Sequence, residues 1–463
     1  PDRPLSDNPP LPEEPPLPNE PADESGTRRK RIMQLALPII GAMVSQNVLN
    51  LTDTAIVGTL STQALAAVGL GGFINWMGMS FITGLATGVQ AIAARRMGEG
   101  RDSEAAMPLN GGLLLSLMLA LPWSILLFFL APWIFSLVNP DPKVVAIGGP
   151  YLQMRLLGMV AVAMNFSFRG FWNGVNISAV YMRTLIIMHV ADVLLSCTFV
   201  FGWFGLPAMG ATGSGLGTTL SLYLGTALYG WQAWQLARDK GFLKTLPDRA
   251  TLATMLKISI PSGIQQLFFS AGMTVFFWIV GKVGTDELAA SNVLVNLLLV
   301  LILPGMAFGI TAASLVGQAL GRKDAEDAQR WGWDVTRLAS LLVGLLALPA
   351  VILPDLFLGV FLHDPHALDL ARWPLRIVAL GMAWDTLGSV LMQSLFCAGD
   401  SQRVMFSSVG LQWGLYLPLL FVLTSFFGLG MTGIWALQVG YRALQSLVFL
   451  LMWRGGKWKT IKV

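Results

Sequence analysis

Three aspartates interrupt long apolar runs in this 463-residue chain: Asp53 in NLTDTAIVG, Asp192 in HVADVLLSC and Asp385 in LGMAWDTLGSV. A carboxylate placed in hydrocarbon costs about 2.5 to 3.5 kcal/mol on insertion scales, so it is kept where it meets water, an ion or a partner. Gln46 and Asn50 precede Asp53 at helical spacing and share its face, a polar stripe that predicts the wall of a wet cavity. His189, Asp192 and Ser196 stand at i, i+3 and i+7, again on one face, with His189 expected as a structural hydrogen bonder. Two carboxylates held close in low dielectric cannot both ionise easily, which is the requirement for binding and releasing a proton. The chemistry available is therefore reversible binding of H+ or Na+. Counting from the basic residues at the helix ends puts Asp53 about 22 residues in and Asp192 about 9, a predicted depth difference of roughly 20 Å at 1.5 Å per residue. Asp385 has no basic residue within a turn and is predicted as a second, independent ion site.

Enzyme chemistry has little to work with. Cys197 and Cys397 lie singly in apolar runs, and two of the three histidines, His363 and His366, share one loop. No metal site, cofactor, disulfide framework or catalytic triad is indicated. Arg155 and Arg376 are expected to snorkel to an interface, while Arg442 has no evident place.

The elements that position these residues must be membrane helices. Apolar residues make up 54% of the chain and charged ones 12%, about half of what a soluble chain carries. The apolar runs exceed the roughly 20 residues that cross a bilayer, and they lack the alternation of barrel strands. Spans are predicted at 33–57, 65–94, 109–137, 146–168, 182–204, 210–236, 253–281, 288–318, 334–361, 372–396, 404–427 and 430–453. Residues 1–27, rich in proline and acid, read as a disordered tail.

Basic residues gather at the tail side of the spans, in Arg28 to Arg31, Arg95-Arg96, Arg322-Lys323 and Lys457-Lys459-Lys462. By the positive-inside rule both termini are expected in the cytoplasm, with the chain in a bacterial-type inner membrane. The polar loop 237–251 divides the chain into lobes at 28–236 and 252–463. Leu37-Pro38 matches Ile260-Pro261, Gly98 matches Gly321, Asp141-Pro142 matches Asp364-Pro365, and Gly158 matches Gly381, all at an offset of 223 residues. Two like-oriented six-span repeats suit alternating access about a midplane site. Pro304 and Pro418 are the hinge candidates, whereas Pro38 and Pro261 read as early-turn prolines.

The segment LALPIIGAMVSQNVLNLTDTAIVGTLSTQALAAVGL resembles the opening of the multidrug and toxic compound extrusion family, and the similarity runs over about residues 30–455. The resemblance implies export of organic cations and amphipathic compounds in exchange for protons or sodium ions. It places the family's first-helix aspartate on Asp53, its fifth-helix asparagine and aspartate on Asp192 and Ser196, and its sixth-helix threonine on Thr218. A tenth-helix aspartate found in one branch falls on Asp385, but that branch's seventh-helix glutamate is replaced by Ser270. Asp53 together with the altered fifth helix leans toward the branch of DNA-damage-inducible members, Asp385 leans away from it, and the sequence assigns neither branch. A flippase for lipid-linked oligosaccharide, the rival reading, calls for a basic cavity. The expected partners are small molecules and lipid, with no nucleic acid, and the working unit is expected to be a monomer.

Overall fold

The computed structural model describes residues 25–362 and 364–461, and among them no strand occurs. Among the described residues the helices group into twelve spans, which account for nearly all of them. In the first half they are Ser25–Gly58, the bent pair Thr62–Ser80 and Gly84–Gly98, Met107–Leu115 running on to Leu121–Val138, the bent pair Pro142–Leu157 and Met159–Gly174, Ser178–Phe201, and Gly210–Leu236. In the second half they are Arg249–Val283, Thr285–Gly321, Ala325–Ile352, Pro365–Ala398, Ser401–Phe427 and Met431–Arg454. They are called spans 1 to 12 below. Helices satisfy every backbone group within one segment, which is what lipid demands.

The irregular places have local causes. Span 2 bends by 42° at residues 81–83, where the following Gly84 lies so close to the Ser259 carbonyl that a Cβ there would collide with it. Span 4 bends by 44° at Gly158, whose missing Cβ lets Thr219 Oγ1 and Leu222 approach. Span 3 widens into a π-helical turn at Ser116–Ala120, just ahead of Pro122, and span 11 does so at Gly410–Tyr416, just ahead of Pro418. A proline lacks the N–H that would close the ordinary helical bond, so the backbone upstream rewinds.

Several expectations need correction. Pro38 and Pro261 are not early-turn residues but lie well inside spans 1 and 7. Span 9 begins at Ala325 rather than 334, and its polar first turns are used: Asp327 and Asp334 pair with Arg28 of span 1 at 2.8 and 2.6 Å. Residues 25–27, assigned to the tail, belong to span 1; the rest of the tail, His363 and Lys462 lie outside the described residues.

The two halves meet along the end of the bundle that carries the termini. Span 2 packs there against spans 7 and 8, and span 1 against span 8. The contact is made close by small residues. A Cβ on Gly88 would strike Ser259 Oγ, and one on Gly317 would come within 2.9 Å of Ala94 Cβ. Polar bonds cross the same seam: Gln90 Nε2 donates to the Ile310 carbonyl and to Ser314 Oγ, both at 2.8 Å, and Asn176 Nδ2 donates to Gln318 Oε1 at 3.0 Å.

Candidate functional site

Beyond that seam, the first half encloses a cavity of about 600 Å³ walled by spans 1, 2, 4, 5 and 6, with Leu303 and Met306 of span 8 at its edge. On the side of the terminal end its floor is the apolar cluster of Ile39, Met43, Ala307 and Ile310, which joins span 1 to span 8. The predicted stripe of span 1 lines it: Gln46, Asn50 and Asp53 all face the cavity. From span 5 come His189 and Asp192, and from span 6 Thr218 and Ser221.

The histidine ties spans 1 and 5 together. Its Nδ1 lies 2.6 Å from Ser45 Oγ and its Nε2 3.1 Å from Gln46 Oε1, while Gln46 Nε2 donates to Asn50 Oδ1 at 3.3 Å. One ring nitrogen accepting and the other donating satisfies both contacts. These bonds also fix the register of the two helices. Asp53 is seven residues beyond Gln46 and Asp192 three beyond His189, so their depths differ by about four residues, roughly 6 Å along the axis. The predicted 20 Å separation is therefore wrong. Its error lay in taking Arg31 as the membrane edge, whereas span 1 starts at Ser25 and its first turns reach across to span 9.

Asp192 is 1% exposed and accepts a hydrogen bond from Ser196 Oγ at 3.0 Å. Ser196 is buried behind Asp192 and supports it. Thr218 Oγ1 donates to the Ser214 carbonyl at 3.1 Å, and Ser221 Oγ to the Thr218 carbonyl at 2.8 Å. Asp53 differs from its neighbour in one respect: its Oδ1 is buried without any hydrogen-bond partner. A buried carboxylate oxygen left unpartnered is costly unless something that is not part of the chain binds it.

Arg155 lines the same cavity, and its Nε is likewise buried and unpartnered. Arg169 lines it too, with its guanidinium 4.4 Å from the Phe166 ring centroid. The wall thus carries two acids and two arginines, not the mainly acidic interior that the sequence suggested, and Arg155 does not snorkel away. Tyr151 and Asn165, also on the wall, were missed as well. Asn165 is held by Thr226 Oγ1, which donates to its Oδ1 at 2.9 Å. An amide in mid-span was the available signal for it.

Asp385 is elsewhere. It accepts from Arg442 Nε of span 12 at 2.6 Å, and Arg442 Nη1 donates on to Gln445 Oε1 at 2.7 Å. The arginine without an evident place is thus the partner that Asp385 lacked in the sequence. Pro304 lies inside span 8 beside Leu303, at the edge of the cavity, and Pro418 follows the π-helical turn of span 11.

A family model described as MatE matches the chain twice, over residues 38–198 and 261–422, with starting points 223 residues apart like the internal repeat. A probable multidrug resistance protein NorM from Thermotoga maritima is 25% identical over 442 residues, covering 93% of both chains. One from Burkholderia pseudomallei is 27% identical, covering 91% of both. Among solved structures, an outward-facing multidrug resistance MATE transporter of the MOP superfamily superposes with a TM-score of 0.85 at 20% identity, over 95% of this chain and 98% of the other. A MOP superfamily transporter from Pyrococcus furiosus, described as having a binding pocket of reverse polarity that suggests a different function, gives 0.83 at 20% identity over 92% and 95%.

Proposed function

The chain belongs to the MatE family, and we propose that it is a multidrug efflux transporter in which uptake of H+ or Na+ at Asp53 and Asp192 drives export of cationic and amphipathic molecules. The observation that carries this reading is the pair of carboxylates on one cavity wall, one bonded by the Ser196 hydroxyl and the other with a buried oxygen left unpartnered. Asp192 is held, and Asp53 is available. The cavity's apolar lining, including Met79, Trp76, Phe166 and Met188, suits bulky amphiphiles, and its polar groups suit a cationic centre.

With the termini in the cytoplasm of an inner-membrane protein, the Ile39–Ile310 floor closes the cytoplasmic route, and the cavity belongs to the outward-open side of an alternating-access cycle. Pro304, inside the span that touches both floor and cavity, is suited to act as a hinge. The reading as a flippase of lipid-linked oligosaccharide draws on Arg155 and Arg169, but Asp53 and Asp192 on the same wall oppose a pyrophosphate.

Reconstitution into sealed proteoliposomes, with proton and sodium gradients imposed separately, tests the proposal. Export of a fluorescent organic cation should follow one of the two gradients. Transport indifferent to both would rule out coupling.

A further inference from the structure

A second groove, of about 580 Å³, lies on the outer flank of the second half, between spans 9, 10 and 12 at the terminal end. Gln329, Trp333, Thr336 and Ser340 of span 9 recur at i, i+4, i+7 and i+11, so they form one stripe facing it, with Arg337 beside them. Arg454, at the end of span 12, closes the groove from the other side and lies with its guanidinium 5.7 Å from the Trp333 ring centroid.

We propose that this groove binds the phosphate headgroup of an anionic phospholipid. The first reason is the state of its hydroxyls. Many Ser and Thr side chains in the spans donate to the carbonyl four residues back, as Thr311, Thr386 and Ser394 do at 2.8 to 3.0 Å, although Ser259, Ser270 and Ser408 do not. Thr336 Oγ1 and Ser340 Oγ are buried without any partner, two unsatisfied hydroxyls on neighbouring turns of the wall of one groove.

The second reason is charge. Two neighbouring arginines are spoken for: Arg28 pairs with Asp327 and Asp334, and Arg322 with Asp327. Those pairs use the acids of span 9, and among the described residues neither Arg337 nor Arg454 has an ion-pair partner. Two guanidinium groups and two hydroxyls, all donors, match the several acceptor oxygens of a phosphate better than they match any cation.

The third reason is what continues from Arg337 along the helix. Leu341, Leu345, Leu348 and Ile352 follow at four- and three-residue steps, and they are 60%, 54%, 45% and 66% exposed. An apolar track of that kind is a path for acyl chains leading away from the headgroup, which a free phosphate would not need. A basic pocket between spans, with a tryptophan at its rim, fits the interface level where headgroups lie.

The test is native mass spectrometry of the full chain, delipidated and then offered dioleoyl phosphatidylglycerol or dioleoyl phosphatidylcholine. The wild type should retain phosphatidylglycerol preferentially. Arg337→Gln combined with Arg454→Gln should lower that retention by about tenfold or more while leaving phosphatidylcholine unchanged. If that variant does not purify, Thr336→Val with Ser340→Ala keeps both charges and should still lower retention several-fold. Equal retention of the two lipids by the wild type, or undiminished phosphatidylglycerol in the variant, would overturn the proposal. So would displacement of the lipid by excess inorganic phosphate, which would point to a soluble anion.

Discussion

Arg95 and Gln318, 223 positions apart, each close the end of a helix in the opposite half of the molecule. Arg95 Nη2 donates to the Ala398 carbonyl at the end of span 10, and Gln318 Nε2 donates to the Gly174 carbonyl at the end of span 4, both at 3.0 Å. The last carbonyls of a helix have no partner of their own, so each half completes the other. The backbone repeats the exchange: Gly98 packs on the Gln318 carbonyl and Gly321 on the Arg95 carbonyl. Because each contact supports the other, the clasp is expected to form or break as a unit, with the seam at the terminal end switching between two states.

Gly321→Val should therefore open the seam. The added side chain meets the backbone at Arg95, which has no room to yield. Cys397, 1% exposed and packed between Ala91 and Ala313, reports on the event. In a Cys197→Ser background, maleimide labelling of Cys397 should accelerate about tenfold, the response to a shift of about 1.4 kcal/mol between the two states. An unchanged rate in a protein of normal stability would mean that the seam absorbs the wedge and is not two-state.

The Asp385–Arg442 pair makes a different claim, about stability. Removing one member of a largely buried ion pair strands the other charge, whereas removing both does not. Asp385→Asn and Arg442→Gln should each lower the melting temperature, by an amount corresponding to about 2 kcal/mol, and the double variant should lose less than the sum, with a coupling of about 1 to 3 kcal/mol. Additive losses in the thermal melts would show that the 2.6 Å contact carries no coupling energy.

The twelve spans were legible because lipid imposes a length and a composition, and the repeat was legible because prolines and glycines kept a constant offset from Pro38/Pro261 to Gly158/Gly381. Partnership between spans was not. Asp385 and Arg442 are 57 positions apart on helices whose neighbours no local pattern specifies. Arg155 has the same local sequence whether it snorkels to the surface or faces a cavity, and only the packing of spans 4 and 5 decides. The level of Asp53 was misjudged for a related reason: span 1 begins at Ser25 and its Arg28 pairs with span 9, which its own sequence does not announce.

Orientation is open to a direct check. Gly26 and Gly241 lie at the terminal end, one in the first turns of span 1 and the other in the loop after span 6, where the Gly241 carbonyl accepts from Asn110 Nδ2 at 2.9 Å. Cysteines placed at these two positions, with Cys197 and Cys397 removed, should resist an impermeant thiol reagent added to sealed cells and react after permeabilisation. Labelling of either in sealed cells would invert the topology, and the cavity would then open inward.

Asp53→Asn should abolish gradient-driven export while leaving expression and folding near normal. Asparagine has nearly the same shape, keeps an acceptor oxygen and leaves the Ser45–His189–Gln46–Asn50 bonds in place, since none of them involves Asp53. It cannot take up or release a proton, and it offers a sodium ion no charge. Coupling requires that ion occupancy favour one conformation over the other by a differential free energy, so a neutral side chain removes the bias without removing the cavity. Substrate binding should persist, and it should tighten for cationic substrates if the coupling ion competes with them in the wild type. The measurement is uphill efflux at matched protein level with the imposed gradient verified, alongside substrate affinity on the same preparation. Wild-type uphill rates in Asp53→Asn would remove Asp53 from the coupling mechanism, whatever its place in the cavity.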